Sequence, residues 1–374
     1  MHDAKALDLA WLTLLRAPSV GVATLRNAMG ECPDVIALTR ASPQTLRALG
    51  FPEAAIAFLV RAPSDDTLAD HQWMRRAGAR LLPLAHPQYP AQLAAVSDAP
   101  LALFVLGNAA LLRQPQLAIV GSRQPTAAGQ RIATSMAQQL CAAGFVITSG
   151  LARGIDAAAH RAALACKGMT IAVCGTGLDR CYPEANEPLF QRIREAGALV
   201  SEFLPGTAPR SWNFPRRNRV IAGLCRGVAV IEAAAGSGSL ITARLALEQG
   251  REVFAVPGSP LNPLAAGCLE LLRSGGAHLV RGAIDILSEI SISIEENIQS
   301  NQGIVLPAEA RAGTAALDKD YEMLLDALGF EPASIDDLVS RTGLAAGCVA
   351  SMMLILELDG RVEARPGALY NRVS

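Results

Sequence analysis

Neither sign of charge dominates this 374-residue chain: 33 lysines and arginines stand against 34 aspartates and glutamates, a formal net charge of -1. No global basic excess advertises a polyanionic partner, so any such footprint has to be local. The cysteines (Cys32, Cys141, Cys166, Cys174, Cys181, Cys225, Cys268 and Cys348) form no C-x-x-C pair and no cysteine/histidine run at zinc spacing. That pattern reads as reduced, buried small side chains rather than a metal site. Apolar runs such as Leu101 to Leu106 fall far short of the roughly 20 residues of a membrane span. The opening MHDAKALDLAWLTLLRAP sets Asp3 and Asp8 among its apolar residues and has no small-residue cleavage site, unlike a secretory signal. A cytoplasmic protein without membrane contact is expected. The chain also lacks a G-K-[ST] loop and a G-x-G-x-x-G fingerprint, so ATP hydrolysis and dinucleotide redox chemistry lose support and no cofactor is expected.

What is present is a composition of 51% hydrophobic and 18% charged residues with 32 glycines, typical of a compact α/β protein of more than one domain. Residues 1–80 carry helical periodicity only. Leu7, Ala10, Trp11, Leu14 and Leu15 form one apolar stripe, and Val20-Gly21-Val22 opens another helix. PSVGVATLRNAMG and SPQTLRALGFPEAAIAFL suggest a small bundle of SAM or helix-hairpin-helix character, serving either to hold a DNA phosphate or as a packing module.

Residues 81–287 alternate short β-rich runs (LAIVG at 117, FVITS at 145, MTIAVC at 169, ALVSE at 198, VAVIEA at 228, EVFAVPG at 252) with helical stretches at Ala127–Ala143, Ala157–Cys166 and Leu240–Gln249. Apolar runs joined by crossovers indicate a mostly parallel, doubly wound, Rossmann-like sheet. Residues 288–317 read as a linker. Residues 318–374 read as a winged helix, with helices Asp318–Leu328, Ser334–Ser340 and Leu344–Leu358 and a hairpin turning at Pro366-Gly367. Its would-be recognition helix has no Lys or Arg between Thr342 and Gly360, which favours a protein contact over base reading.

In a parallel sheet, ligands sit at the carboxyl ends of the strands, where helix N-termini direct unpaired amides outward. Gly121-Ser122-Arg123 follows the first strand of the set. Ser149-Gly150-Leu151-Ala152-Arg153-Gly154-Ile155-Asp156 follows the second, with amides and Arg153 suited to a phosphate and Asp156 as the expected N-cap. Asp156 and His160 lie four residues apart, a spacing that suits helix capping and packing better than a metal or acid/base pair without a third ligand. From Phe203 to Ile231 there are five arginines (Arg210, Arg216, Arg217, Arg219, Arg226) and no acidic residue, with Trp212 and Phe214 at the dense NFPRRNR segment. Arginine forks grip phosphates and aromatic faces stack unpaired bases, a combination suited to single strands. Ser237, Gly238, Ser239 and Thr242 begin a further helix and form another anion nest.

In this order, AIVGSRQPTAAG, ITSGLARGIDAAAH, VCGTGLDRCYPEAN, VSEFLPG, NFPRRNRVIAGL and EAAAGSGSLITARLALEQGREVFAVPG resemble the DNA-processing protein A (DprA/Smf) family. The resemblance implies a non-enzymatic homodimer that binds and protects incoming single-stranded DNA in natural transformation and loads the RecA recombinase. It places Ser122, Arg123, Gly150, Phe214, Arg216, Arg217, Asn218, Arg219 and the Ser237–Thr242 nest in the DNA pocket. The segment after AVPG departs from the family pattern, with Ala265 and Leu269 where polar residues stand, so that wall of the pocket is expected to be less polar. Two other readings are a phosphoribohydrolase-like enzyme, which lacks its P-G-G-x-G-T signature here, and a protein adaptor, which the arginine cluster does not favour.

Overall fold

The computed structural model describes residues 2–290, 319–329, 331–344, 346–358, 361–365 and 369–373. Nearly all of the expected linker, and the turn expected at Pro366-Gly367, lie outside them. The chain divides into two compact units, Met1–Ser293 and Ile294–Ser374.

The first unit is built on a nine-stranded sheet. Its strands are β1 (Arg80–Pro83), β2 (Ala102–Gly107), β3 (Gln116–Gly121), β4 (Val146–Ser149), β5 (Thr170–Val173), β6 (Ala198–Ser201), β7 (Gly227–Ile231), β8 (Glu252–Ala255) and β9 (His278–Leu279). Their order is β1-β2-β6-β5-β4-β3-β7-β8-β9. All neighbours from β6 to β9 are parallel, while β1 and β2 extend the β6 edge in antiparallel fashion. From β3 the chain winds outward through β4, β5 and β6, then returns to the other side of β3 for β7, β8 and β9. The β3/β7 boundary is therefore the topological switch point of a doubly wound sheet.

Alternate residues of each strand enter different cores, as the two-residue period of a strand demands. Leu117, Ile119, Ile147, Ala229 and Ile231 pack under helices Ala127–Ala142 and Ile155–Ala165. Ala118, Val120, Val146, Val173, Val228 and Val230 pack under helices Asn213–Leu224 and Gly238–Glu248. Burial on both faces is why these strands read as continuous apolar runs rather than alternating ones.

Helices His2–Arg16 through Asp65–Ala77 form the front of the unit and share a core with the sheet: Trp11, Leu12, Leu25, Leu38 and Leu46 join Phe104, Ala172, Phe190 and Leu199. Side-chain oxygens of Asp34, Ser42 and Ser64 cap three of these short helices by accepting main-chain N–H bonds. The first helix turns slightly from its expected stripe. Leu12 is fully buried, whereas Leu7 is 41% exposed.

The second unit is a winged helix: helix Lys319–Leu328, β10 (Ala333–Ser334), helices Ile335–Thr342 and Ala346–Leu358, then the antiparallel pair β11 (Val362–Arg365) and β12 (Leu369–Arg372). Leu324, Leu325, Leu328, Leu338, Val349, Met353 and Leu356 fill its core. A reciprocal Ser334/Asp337 capping box starts its second helix and Gly343, at φ 72°, ends it. At the other end of the expected linker, helix Ala283–Glu289 runs on to residue 289.

Candidate functional site

The carboxyl ends of β3, β4, β5 and β7 converge on one rim, and the loops there touch closely. Gly121 ends β3 where a Cβ would stand 1.9 Å from the Ile231 carbonyl oxygen of β7, so only glycine fits. The Ser122 amide donates to the Glu232 carbonyl oxygen at 2.7 Å. Gly154 adopts φ 76°, and a Cβ on it would lie 2.2 Å from the Ser122 carbonyl oxygen, which brings the loop after β4 against the loop after β3.

One of the two expected anion nests, the loop after β4, already holds an anion, and it belongs to the protein. Asp156 is not the N-cap of its helix; Gly154 takes that position. The buried Asp156 carboxylate reaches back and accepts the amides of Gly150 at 3.0 Å and Ala152 at 3.4 Å. Glu232 does the same at the switch point, accepting the Thr126 amide at 2.8 Å and its hydroxyl at 2.5 Å. Its backbone sits at φ 52°, a left-handed conformation uncommon outside glycine. The other expected nest is built from hydroxyls: Ser237 Oγ lies 2.8 Å from Ser239 Oγ and accepts the Ser239 amide at 3.4 Å, with Gly238 exposed between them. Thr242, one turn further, is buried.

The arginines divide by burial. Arg217 is inside: its Nη1 donates to the carbonyl oxygens of Gly150 at 2.5 Å and Val173 at 2.6 Å, and its Nε donates to Asn218 Oδ1 at 3.0 Å. Burial pushes its pKa down while Asp156 pulls it up; burial pushes the Asp156 carboxyl up while Arg217 pulls it down. Arg219 is also buried, paired with the Glu202 carboxylate and with Asp98 at 3.4 Å. Burial raises the Glu202 pKa against the opposing pull of Arg219 and Arg216. Arg216 keeps 57% of its side chain exposed, 3.5 Å from Glu202 and over the Phe203 ring. Arg123 and Arg153 are exposed on their loops, with Arg123 close enough to bear electrostatically on Arg217. Arg210 lies over the exposed Trp212 ring. Arg226, just before β7, is at the opposite end of the sheet.

Asn218 bridges the remaining pieces: its Nδ2 donates to the Gly238 carbonyl oxygen at 3.2 Å, joining the arginine helix to the hydroxyl nest. Phe214 is half-buried against Gly175, Tyr182 and the Arg217 guanidinium. Ser122 accepts the Gln124 amide, and Ser149 donates to the Ile119 carbonyl oxygen at 2.6 Å, so both brace their loops. His160 turns away from Asp156; its Nδ1 lies 2.7 Å from Thr170 Oγ1 in full burial, which lowers its pKa to about 3. Among the described residues there is no group of three or more His, Cys, Asp or Glu placed to hold a metal. Ala265 is buried against Gly258, consistent with an apolar wall there.

Sequence reasoning missed Glu232, Thr126, Glu202 and Tyr182. Glu232 had a readable signal: it is the first acidic residue after Glu202 and stands directly at a strand end.

Fold and rim together define a doubly wound α/β protein whose switch-point face carries exposed arginines over a frame of buried charged side chains. Residues 80–291 match the family model of DNA recombination-mediator protein A, and residues 308–368 match the DprA winged helix domain. The chain belongs to the DNA recombination-mediator protein A (DprA) family. It is 41% identical over 305 residues to Protein Smf of Escherichia coli, covering 79% of this chain and 78% of that one. Over 201 residues it is 50% identical to DNA processing protein DprA of Streptococcus pneumoniae, 54% of this chain and 71% of the other. The crystal structure of the S. pneumoniae protein superimposes with a TM-score of 0.68 at 37% identity, over 76% of this chain and 98% of that one. DNA processing protein A of Helicobacter pylori, solved in a study of its single-stranded DNA binding mode, gives 0.52 at 30% identity, over 57% and 95%. Among the described residues, no helix is long and apolar enough to cross a membrane.

Proposed function

We propose that this protein binds single-stranded DNA along the strand-end rim, protects it, and delivers it to the RecA recombinase during natural transformation, as a cytoplasmic homodimer and without catalysing a reaction. One observation carries the reading: Arg123, Arg153 and Arg216 are exposed on three different elements of one rim, around the buried Arg217, which joins the Arg216 helix to the loop carrying Arg153 and to β5. Three separated guanidinium groups suit a chain of phosphates better than a single small anion. The single-stranded DNA binding mode studied in the Helicobacter pylori relative supports the same ligand.

The division of labour follows from burial. Exposed Arg123, Arg153 and Arg216 take phosphates, and the Ser237–Ser239 nest offers amides and hydroxyls to another. Phe214 and Trp212 offer ring faces to unpaired bases. Arg217, Arg219, Asn218, Ser149 and Gly150 act behind that surface, holding the loops at fixed spacing. The carboxylates at the rim support a binding rather than a catalytic role, since Asp156 and Glu232 are already held by main-chain amides and neither is poised to move a proton.

The test is a titration of fluorescent oligo-dT and an equal-length duplex at two salt concentrations, on the wild type and on Arg123→Ala. Single-strand-selective, salt-sensitive binding weakened by the substitution is the expected result. Equal affinity for the duplex, or no binding, would overturn the proposal.

A further inference from the structure

The aromatic side chain in ring contact with Phe214 is one that the arginine cluster does not point to. Tyr182 lies in the loop between β5 and helix Glu187–Ala196, over thirty positions before the arginine helix, and is 45% exposed. Its ring centroid is 5.5 Å from that of Phe214, with an interplanar angle of 33°. Phe214 itself is half-buried. A Cβ on Gly175 would stand 2.9 Å from Phe214 Cδ1 and 3.1 Å from Cε1, so the ring lies directly on the glycine backbone. The Arg217 guanidinium sits 6.0 Å from its centroid. Tyr182 is the outer layer of this Arg217–Phe214–Tyr182 group.

The loop carrying Tyr182 is fixed to the rim. Asn186 Nδ2 donates to the carbonyl oxygens of Leu151 at 2.9 Å and Ala152 at 3.3 Å, immediately before the exposed Arg153. On the other side, Asn213 Nδ2 donates to the Gly175 carbonyl oxygen at 3.0 Å, locking the start of the arginine helix to the same strand end. An exposed ring is thereby held between the exposed Arg153 loop and a half-buried aromatic neighbour. An aromatic side chain half in water, backed by a second ring and a cation, is a stacking surface in want of a flat partner.

We infer that Tyr182 is a base-stacking residue of the site: an unpaired nucleobase lies on its ring while the flanking phosphates reach Arg153 and Arg216. This rests on the single-strand reading above and adds to it a specific contact that depends on the ring and not on charge. Stacking is blind to base identity, so the contact confers affinity for unpaired strands without sequence preference.

The experiment measures oligo-dT affinity of the full chain carrying Tyr182→Phe, Tyr182→Leu or Tyr182→Ala, each against salt and against oligonucleotides bearing one abasic position. Tyr182→Phe should bind within about twofold of wild type. Tyr182→Leu, which keeps the bulk but not the π face, and Tyr182→Ala should each lose between roughly 5- and 100-fold. The salt slope should not change, and one abasic position should erase the difference between Tyr182→Leu and wild type. Equal affinity of Tyr182→Leu and wild type would overturn the inference, as would a loss in Tyr182→Phe as large as in Tyr182→Leu, or a difference that no abasic position removes. A wild type that fails to bind oligo-dT overturns the parent reading instead, which keeps the two failures apart.

Discussion

Arg216 and Arg217 are neighbours in sequence, yet replacing each with alanine should damage different properties. Arg217→Ala removes donors to two strand-end carbonyl oxygens and to Asn218, and leaves the Asp156 carboxylate buried without its cation. Leaving a buried acceptor without its donor costs about 1–3 kcal/mol, so the three lost bonds together cost about 3–5 kcal/mol. In a unit of this size that lowers the melting temperature by on the order of 10 °C. The deficit should grow as pH rises. Without Arg217, burial lifts the Asp156 pKa further above its unfolded value, and a group shifted in that direction contributes stability below the unfolded pKa that is lost as pH rises through the folded one. Asp156→Asn in the Arg217→Ala background should recover part of the loss. Arg216→Ala removes an exposed side chain with a single 3.5 Å carboxylate contact and should leave stability within about 0.5 kcal/mol. It should instead lower the salt slope of oligo-dT binding by roughly 0.7, one phosphate's worth. Urea unfolding followed by circular dichroism and fluorescence anisotropy against salt read the two effects separately. If Arg217→Ala melts like the wild type while its salt slope falls, the guanidinium grips DNA and not the strand ends, and the division by burial is wrong.

Two further outcomes follow from the frame of the site. Glu232→Gly should be more stable than Glu232→Ala by about 1 kcal/mol in urea unfolding, because both lose the bonds to Thr126 but only glycine relieves the left-handed backbone; the reverse order would refute strain at φ 52°. His160, with its pKa depressed to about 3 by burial, contributes stability that is present above its unfolded pKa near 6.5 and lost as pH falls from there towards 3, by about 1.4 kcal/mol per pH unit. Wild type should therefore lose more stability than His160→Gln between pH 7.5 and pH 5, and parallel losses would show that the imidazole accepts its proton in place.

The parallel strands β3 to β8 were legible because burial on both faces makes them continuous apolar runs flanked by glycine and serine. β1 and β2 were not: Leu101 to Leu106 invites no periodicity argument, and only the pairing with β6 makes it part of an antiparallel extension of the sheet. The rim was legible as a list of loops, since glycines and hydroxyls at strand ends carry their own geometry. The depth of each arginine was not. NFPRRNR reads as one basic patch, but on a helix Arg217 turns inward while Arg216 and Arg219, three residues apart, share the Glu202 carboxylate. The filling of the Asp156 and Glu232 nests was hidden for a related reason. A glycine loop shows that an anion fits and says nothing about whether the chain supplies it.

Those internal carboxylates mean that the rim loops reach their working shape before any ligand arrives. A side chain that satisfies the amides of Gly150, Ala152 and Thr126 stiffens the backbone as a bound phosphate would, and it is present at unit effective occupancy in every molecule. Under the proposed function, a strand landing on this face meets arginines mounted on fixed supports and does not have to order the loops itself, so less conformational entropy is lost on association. Docking can then be fast and close to rigid-body, governed by electrostatic encounter, and release need not wait for a loop to unfold.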